Sequence, residues 1–223
     1  MAATFHASGH GDQTGGASSF TITCTISAGD FLVIASSWDS ASTTTPTVAT
    51  VGGAGSDTGT LILGPITASS FGLKYGAWLV PSAGSGRTDV TVSWASSSPS
   101  FADGFCWSAS GLTTPTLDKS PNDSGTSTNP TSGSTGTLST ADQFCVSYTA
   151  LSSAAATATG GGFTDDGNTP STGSRAGHQV VAVNTALTGS FTAANSFWIA
   201  LALTFMTGAA PPGATNLMPQ ILM

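Results

Sequence analysis

The chain has 223 residues, only 7% of them charged, with 11 acidic and 4 basic side chains and a net charge of −7. Because binding to a phosphate backbone needs clustered Lys and Arg, this balance excludes nucleic acid as a partner and argues equally against an anionic membrane surface. All of the acids are aspartates, and the polar helix formers Glu, Lys and Arg are nearly missing, which favours an all-β fold.

Short strands separated by turn signals are predicted along the chain, because apolar residues alternate with Ser and Thr in run after run. The stretch 29–38 differs, since it is continuously apolar at its centre and is predicted to be a central strand covered on both faces. Gly64-Pro65 interrupts a strand, which predicts a sheet edge or a bulge there. The predicted strands are residues 19–26, 29–38, 59–67, 73–81, 88–94, 101–112, 142–151, 177–187 and 196–206.

Two connections, and a similarity between two segments of the sequence, give information about topology. The Gly/Ser segment between 73–81 and 88–94 predicts a hairpin. The polar stretch 113–137 is predicted to be a long crossover loop within one sandwich, since a Greek key needs at least one long connection. The segments around Asp30 and Asp142 resemble each other, and each predicts a turn whose Asp caps the entry to a central strand. Two related halves would suit a double-Greek-key jelly roll, but the match is too short to establish a duplication.

These elements predict one antiparallel, jelly-roll-like β-sandwich over residues 1–206 with essentially no helix. Residues 207–223 are predicted to leave it as an extended Pro/Gly linker and an apolar docking tail, because Pro-Pro is semi-rigid and Gly213 gives the last ten residues conformational freedom. The N-terminus has no secretory pattern. The longest apolar stretch, 197–206, is much shorter than a membrane span of roughly 20 residues.

Residues with catalytic or metal-binding chemistry are few. Three cysteines lie in apolar strands without metal-ligand spacing and are predicted to be buried free thiols. Asp165-Asp166 indicates either a hairpin tip or a cation loop, although it lacks the ligand alternation of an EF-hand. His6 and His10 would lie about 13 Å apart on one strand, too far to share a metal. The cysteines are Cys24, Cys106 and Cys145.

Catalysis is disfavoured because no G-x-S-x-G elbow occurs, although serines are numerous enough to leave a Ser-His-Asp triad open. We therefore predict a non-enzymatic protein with no catalytic residue, cofactor or metal. The five tryptophans are predicted to pack in the core. Trp38, which is followed by Asp39 at a strand end, is the candidate exception that could stack on a sugar.

The order of strands resembles a known family. "AGDFLVIASSWDS", "YGAWLVPSAGSGRTDVTVSWAS", "TADQFCVSYTAL" and "SFWIALALTF" are similar, over most of residues 2–206, to jelly-roll modules of tailed-phage virion structural proteins. The resemblance implies a decoration or tail-associated subunit, and it transfers no catalytic residue. We expect a capsid decoration or accessory subunit located on the virion and made in the host cytoplasm. The alternative is a carbohydrate-binding or adhesion module of a phage tail or cell surface.

The predicted partners are sister subunits and a capsid or other virion protein, with a glycan left open as a ligand. A homo-oligomer is expected, and a trimer follows from fold analogy alone. The tail would dock on a neighbouring subunit through large apolar side chains around one proline, which fixes an extended backbone. The docking residues are Leu217, Met218, Pro219, Ile221, Leu222 and Met223.

Overall fold

The computed structural model of the chain describes residues 2–39, 41–68, 72–96, 98–152 and 155–208. Within these ranges the chain is all-β without helix, as predicted, and 17 antiparallel strands form four sheets. The strands are β1 Thr4–Gln13, β2 Ser19–Thr23, β3 Phe31–Asp39, β4 Thr47–Val51, β5 Thr60–Ala68, β6 Leu73–Val80, β7 Asp89–Ser93, β8 Ala102–Ser110, β9 Pro115–Lys119, β10 Asn122–Ser127, β11 Thr131–Thr137, β12 Gln143–Leu151, β13 Ala156–Gly160, β14 Thr164–Asn168, β15 Arg175–Val181, β16 Ala186–Ala193 and β17 Ser196–Thr207.

The first half of the chain, residues 2–112, forms a complete sandwich. Its inner sheet has the strand order β1-β8-β3-β6-β5, and its outer sheet has the order β2-β7-β4. Except for β5 and β6, which pair directly, strands that follow one another in sequence lie in different sheets, which is the connectivity of a jelly roll. β3 lies at the centre of the inner sheet and is buried over its first eight residues, so the predicted central strand is confirmed.

The second half, residues 113–208, repeats this topology strand for strand. Its inner sheet has the order β10-β17-β12-β15-β14, with β9 also on β17, and its outer sheet has the order β11-β16-β13. The continuous edge strand β1 thus corresponds to two shorter strands, β9 and β10, which pair with opposite ends of β17. The faint echo around Asp30 and Asp142 therefore marks a repeated topology.

The two inner sheets pack face to face, so the molecule has four layers. Their shared core contains side chains of both halves. The Phe31 ring of β3 lies 5.6 Å from that of Phe144 on β12 and 6.4 Å from that of Phe205 on β17, measured between centroids. The predicted antiparallel β-sandwich is thus confirmed, and the structure contains two of them, one in each half of the chain. The physical reason is that both faces of each inner sheet are apolar and need a cover.

Each half also has a core between its inner and outer sheets, and the two differ. The first half has one continuous cluster, which includes Trp38, Trp78 and Trp94. The second half has two smaller clusters, one around Trp198 and Phe191 and another around Cys145, Phe163 and Leu187. The separation leaves the second half without a single large apolar centre of its own.

Two predicted connections are wrong. The segment between β6 and β7 is not a hairpin, because β6 belongs to the inner sheet and β7 to the outer sheet. The polar stretch 113–137 is not a loop, since it contains β9, β10 and β11. These three strands lie at sheet edges and are mostly half-buried or exposed, so their side chains can be Ser, Thr and Asn without loss of core. The expectation for Gly64-Pro65 is confirmed, because β5 is an edge strand with an irregular register there.

The turns before the central strands β3 and β12 are alike in shape but offset by one residue from the sequence echo. Gly29 has a φ of 88° and Asp142 a φ of 57°, so these two residues occupy the same left-handed position. The following residues, Asp30 and Gln143, are both buried. Asp30 accepts a hydrogen bond from the Ser27 amide at 2.9 Å and caps the turn as predicted, whereas Asp142 is exposed.

Candidate functional site

The carboxylate of Asp103 on β8 is buried between the two inner sheets. It accepts hydrogen bonds from Ser37 at 2.9 Å, from Ser174 at 2.6 Å and from the Tyr148 hydroxyl. Burial raises the pKa of Asp103, and these hydrogen bonds act in the opposite direction. Burial, together with the charge of Asp103, also raises the pKa of Tyr148. Because donors from both halves converge on one acid, Asp103 joins the halves and has little room for a ligand.

A second carboxylate, Asp166 on β14, also connects the halves. It accepts hydrogen bonds from Ser8 at 2.9 Å and from the Trp107 indole at 2.7 Å, both in the first half, and lies 2.8 Å from Nδ1 of His178. The His178 ring stacks on Phe5 with 3.5 Å between centroids. The side chain of Asp166 is only 3% exposed, so this arrangement is part of the joint between the halves.

A third polar cluster lies at one end of the first inner sheet, and we call it the strand-end cluster: His6, Asp30, Ser108 and Ser110. Asp30 Oδ1 lies 2.9 Å from Nδ1 of His6, and Nε2 of the same ring lies 3.0 Å from Oγ of Ser110. Asp30 is 2% exposed, whereas the side chain of His6 is 33% exposed. The buried acid therefore holds an imidazole whose far nitrogen meets a serine hydroxyl near the surface.

The basic side chains are engaged in local contacts. Arg87 binds Asp57 at 2.8 Å and also donates to the carbonyls of Gly52 and Gly55, so it ties together the loops around β4, β5 and β7. The hydrogen bond from Arg87 holds the pKa of Asp57 well below its usual range. In the second half Arg175 pairs with Asp165, and there hydrogen bonds from Arg175, Gly167 and Thr159 outweigh burial and lower the pKa of the acid.

A cleft of about 430 Å³ opens where the two halves meet at the other end of the inner sheets, and we call it the junction cleft. Phe101 and Thr14 line it from the first half, and Asn168 and Ser171 from the second. Asp12 Oδ2 accepts a hydrogen bond from the Ser171 amide at 2.7 Å and links the two walls. An aromatic side chain beside neutral hydrogen-bonding groups can bind a small uncharged polar ligand.

The tryptophans are core residues, as predicted, and the exception proposed for Trp38 is wrong. Trp38 is 0% exposed and packs against Trp78 and Trp94 with ring centroids 6.2 and 6.3 Å apart. A strand-end Trp before Asp39 still points inward, because the outer sheet covers that face of the inner sheet. Trp38 therefore cannot stack on a sugar without local unfolding.

The remaining sequence candidates have clear outcomes. The three cysteines are buried free thiols, as predicted, and burial raises the pKa of Cys145 to about 12. Asp165 and Asp166 lie on β14 and face different partners, Arg175 and His178, so they do not form a cation loop. The described ranges hold no group of three or more His, Cys or acidic side chains able to hold a metal. The docking residues Leu217, Met218, Pro219, Ile221, Leu222 and Met223 lie outside the described residues.

Sequence reasoning missed two features. Asp103 lies inside the apolar run 101–112, and an acid inside a predicted strand is a signal that could have marked it as buried. The strand-end cluster had no such signal, because its members are far apart in sequence and Ser110 is one of many serines. Only the pairing of β1 with β8, and of β8 with β3, brings them together.

No helix in the described part of the chain is long and apolar enough to cross a membrane. Comparison with protein-family models, with curated proteins and with solved structures finds no match to the chain.

Proposed function

We propose that the protein is a structural subunit of a virion, a capsid decoration or accessory protein of a tailed phage, with no catalytic role in that assembly. The resemblance of the strand order to phage modules motivates the proposal. The observation that carries it is the surface of the two outer sheets, which form the opposite ends of the four-layer stack.

Both outer sheets present hydroxyl groups in rows. On the first outer sheet the pairing aligns Ser19, Ser93 and Thr47 in one row, and Thr21 with Thr91 in the next. The exposed side of the second outer sheet is similar. Its hydroxyl residues are Thr131, Ser134, Thr157, Thr188, Ser190 and Thr192. These broad faces have few charges, which suits stable contact with other protein surfaces better than recognition of a charged partner.

The basic side chains do not change this picture. Arg87 and Arg175 are paired with acids, Lys119 lies 3.7 Å from Asp118, and Lys74 donates to a main-chain carbonyl. A net charge of −7 keeps the free subunit soluble without providing a strong local field. Attachment would then depend on contacts between subunits and on the tail, residues 215–223.

The test is to produce the chain together with its phage and to purify the particles on a density gradient. We expect the full-length chain to band with the particles, and gold-labelled antibody to mark the head. A variant that lacks 215–223 should keep the melting temperature of the full-length chain and remain in the soluble fraction. Light scattering of the free chain at micromolar concentration should give the mass of an oligomer, and the expected oligomer is a trimer.

Three results would contradict the proposal. The first is absence of the full-length chain from the purified particles, and the second is antibody labelling of host material alone. The third is a deletion variant that melts many degrees below the full-length chain, because the tail would then belong to the core of the subunit. A monomer with and without the tail would contradict only the oligomer.

The junction cleft favours a second candidate, a carbohydrate-binding or adhesion module. Phe101 contributes an aromatic side chain to the lining, and Thr14, Asn168 and Ser171 contribute neutral hydrogen-bonding groups. A glycan array followed by calorimetry tests this candidate. Glycan binding that is abolished by Phe101→Ala would favour an adhesion module over a decoration subunit. Trp38 is fully buried and would not mediate this binding.

A further inference from the structure

We propose that Ser110 is an activated nucleophile and that the strand-end cluster can transfer an acyl group from a small carboxylic ester. This activity goes beyond the structural role and does not depend on it. The geometry is that of a Ser-His-Asp triad: the acid meets Nδ1 of His6 at 2.9 Å, and Nε2 meets the serine Oγ at 3.0 Å. Both contacts fall within the range for a nucleophile, its base and the group that orients the base.

The surroundings of Asp30 fix the tautomer of His6. The carboxylate also accepts hydrogen bonds from the Ser27 amide at 2.9 Å and from the Ser108 hydroxyl, so it is held as an acceptor. Nδ1 of His6 then donates to Asp30, which leaves Nε2 free to accept the Ser110 proton. Asp30 is thus a positioning residue, and His6 is the base.

The backbone directs these side chains to one place. The pairing of β1 with β8 shifts between Phe5 and Ala7, so His6 is the extra residue of a β-bulge. A bulge re-aims a side chain and often occurs beside functional sites. Ser110 is the last residue of β8. The next residue, Gly111, has a φ of 90° and no space for a Cβ, which would lie 2.2 Å from the Ala2 carbonyl.

The second half provides an internal comparison. Phe5 and Phe31 both pair with Ala109, and Leu117 and Phe144 both pair with Phe205. The neighbouring residues therefore correspond as well, and the equivalents of His6, Asp30 and Ser110 are Asp118, Gln143 and Met206. Gln143 donates to Asp118 at 2.7 Å. A carboxylate–amide pair is thus sufficient to connect the equivalent strand ends in the second half. Only the first half has an imidazole and a nucleophile at these positions.

The chemistry is a two-step acyl transfer. Ser110 Oγ attacks the ester carbonyl carbon while its proton moves to Nε2 of His6, and the bond to the alkoxide breaks as that proton passes to the leaving alcohol. Water then attacks the acyl-serine carbonyl carbon while His6 Nε2 accepts a proton from it. The bond from the acyl carbon to Ser110 Oγ breaks as His6 returns that proton to Oγ, and the carboxylic acid leaves. The partly exposed position of the serine suits small, activated esters.

The experiment uses a fluorophosphonate probe on the full-length chain, followed by peptide mapping, and p-nitrophenyl acetate as the ester. With the probe, Ser110 Oγ displaces fluoride from phosphorus, and the product is a stable adduct on that serine. We expect the adduct on Ser110 alone. Ser110→Ala should abolish it, and His6→Ala should slow it by about 10²-fold or more, the usual contribution of a general base.

Asp30→Asn needs a readout that a merely structural role would not move. A downfield proton resonance on Nδ1 of His6 should be present in the native chain and absent in this variant, with labelling slowed as in His6→Ala. The double variant His6→Asp with Asp30→Gln copies the second half and should fold but not label. Adducts spread over other serines, no adduct in the native chain, or equal labelling of the double variant would each overturn the proposal.

Discussion

The two halves of the chain share one topology but differ in how their outer cores are filled. In the first half, a single apolar cluster with three tryptophans lies between the inner and outer sheets, whereas the second half has two separate smaller clusters. The same strand order therefore tolerates different packing. The features common to both halves are the left-handed turn before β3 and β12, a buried polar residue after it, and apolar positions that face the shared core.

The largest expected difference concerns the outer cores. Trp38→Ala should lower the free energy of unfolding by about 3–5 kcal/mol, because it leaves a cavity in a continuous cluster. Trp198→Ala in the second half should cost less, near the lower end of that range, since its cluster has only six members. Urea unfolding of both variants checks this order. Equal losses would mean that the two outer cores are equivalent in energy despite their different connectivity.

A smaller effect on the free energy of unfolding is expected for the polar pair His6 and Asp30, which lies next to the turn before β3. Asp30→Ala should cost about 1–3 kcal/mol, because the Ser108 hydroxyl and the Ser27 amide lose their acceptor. The double variant His6→Asp with Asp30→Gln should recover most of that loss, since it installs the pair found in the second half. Thermal unfolding of the three proteins measures both effects. A double variant no better than Asp30→Ala would show that the two turns are not interchangeable.

The acid shared by the halves should impose a pH dependence. The pKa of Asp103 is raised on folding, so its protonated form is favoured in the folded state. The resulting stability is present below the unfolded pKa of about 3.9 and is lost as the pH rises through the folded pKa, by at most about 1.4 kcal/mol per pH unit. The acids Asp57, Asp118 and Asp165 have lowered pKa values. Their contribution to the stability of the folded chain is therefore lost only as the pH falls below about 4.

Urea unfolding between pH 4 and pH 8, compared between the native chain and Asp103→Asn, isolates this contribution. The native chain should lose stability relative to the variant as the pH rises. Parallel curves would mean that Asp103 is ionised in the folded state at its ordinary pKa.

The smallest effects are expected on the outer faces, where the halves are most alike. Thr91→Ala on the first outer sheet and Thr192→Ala on the second should each change stability by less than about 0.5 kcal/mol, as exposed substitutions usually do. Differential scanning fluorimetry is sufficient for this measurement. A melting temperature lowered by several degrees at either position would mean that this hydroxyl makes a stabilising contact in the folded chain.

Much of this architecture could be predicted from the sequence, and the failures have physical causes. Alternation identified β2 and β7, and a continuous apolar run identified β3, because a strand covered on both faces needs apolar residues throughout. The strands that were missed entirely all lie at sheet edges, where strands can be as polar as loops. They are β1, β4, β9, β10, β11, β13 and β14. The strand-end cluster was out of reach, since it depends on which strands pair and on a bulge at His6.

The shared core between the inner sheets has a consequence for synthesis. All eight strands of the first half leave the ribosome before residue 113, yet the cover for Phe31 includes Phe205, almost the last described strand residue. At roughly 5–20 residues per second, the apolar face of the first half stays uncovered for about 5–20 s. During that interval the uncovered faces of two nascent chains on neighbouring ribosomes can meet, so each second half, once it is made, can pack on the first half of the other chain. The contacts of Asp103 and Asp166, which need both halves, would then form between two chains. The product would be a domain-swapped dimer.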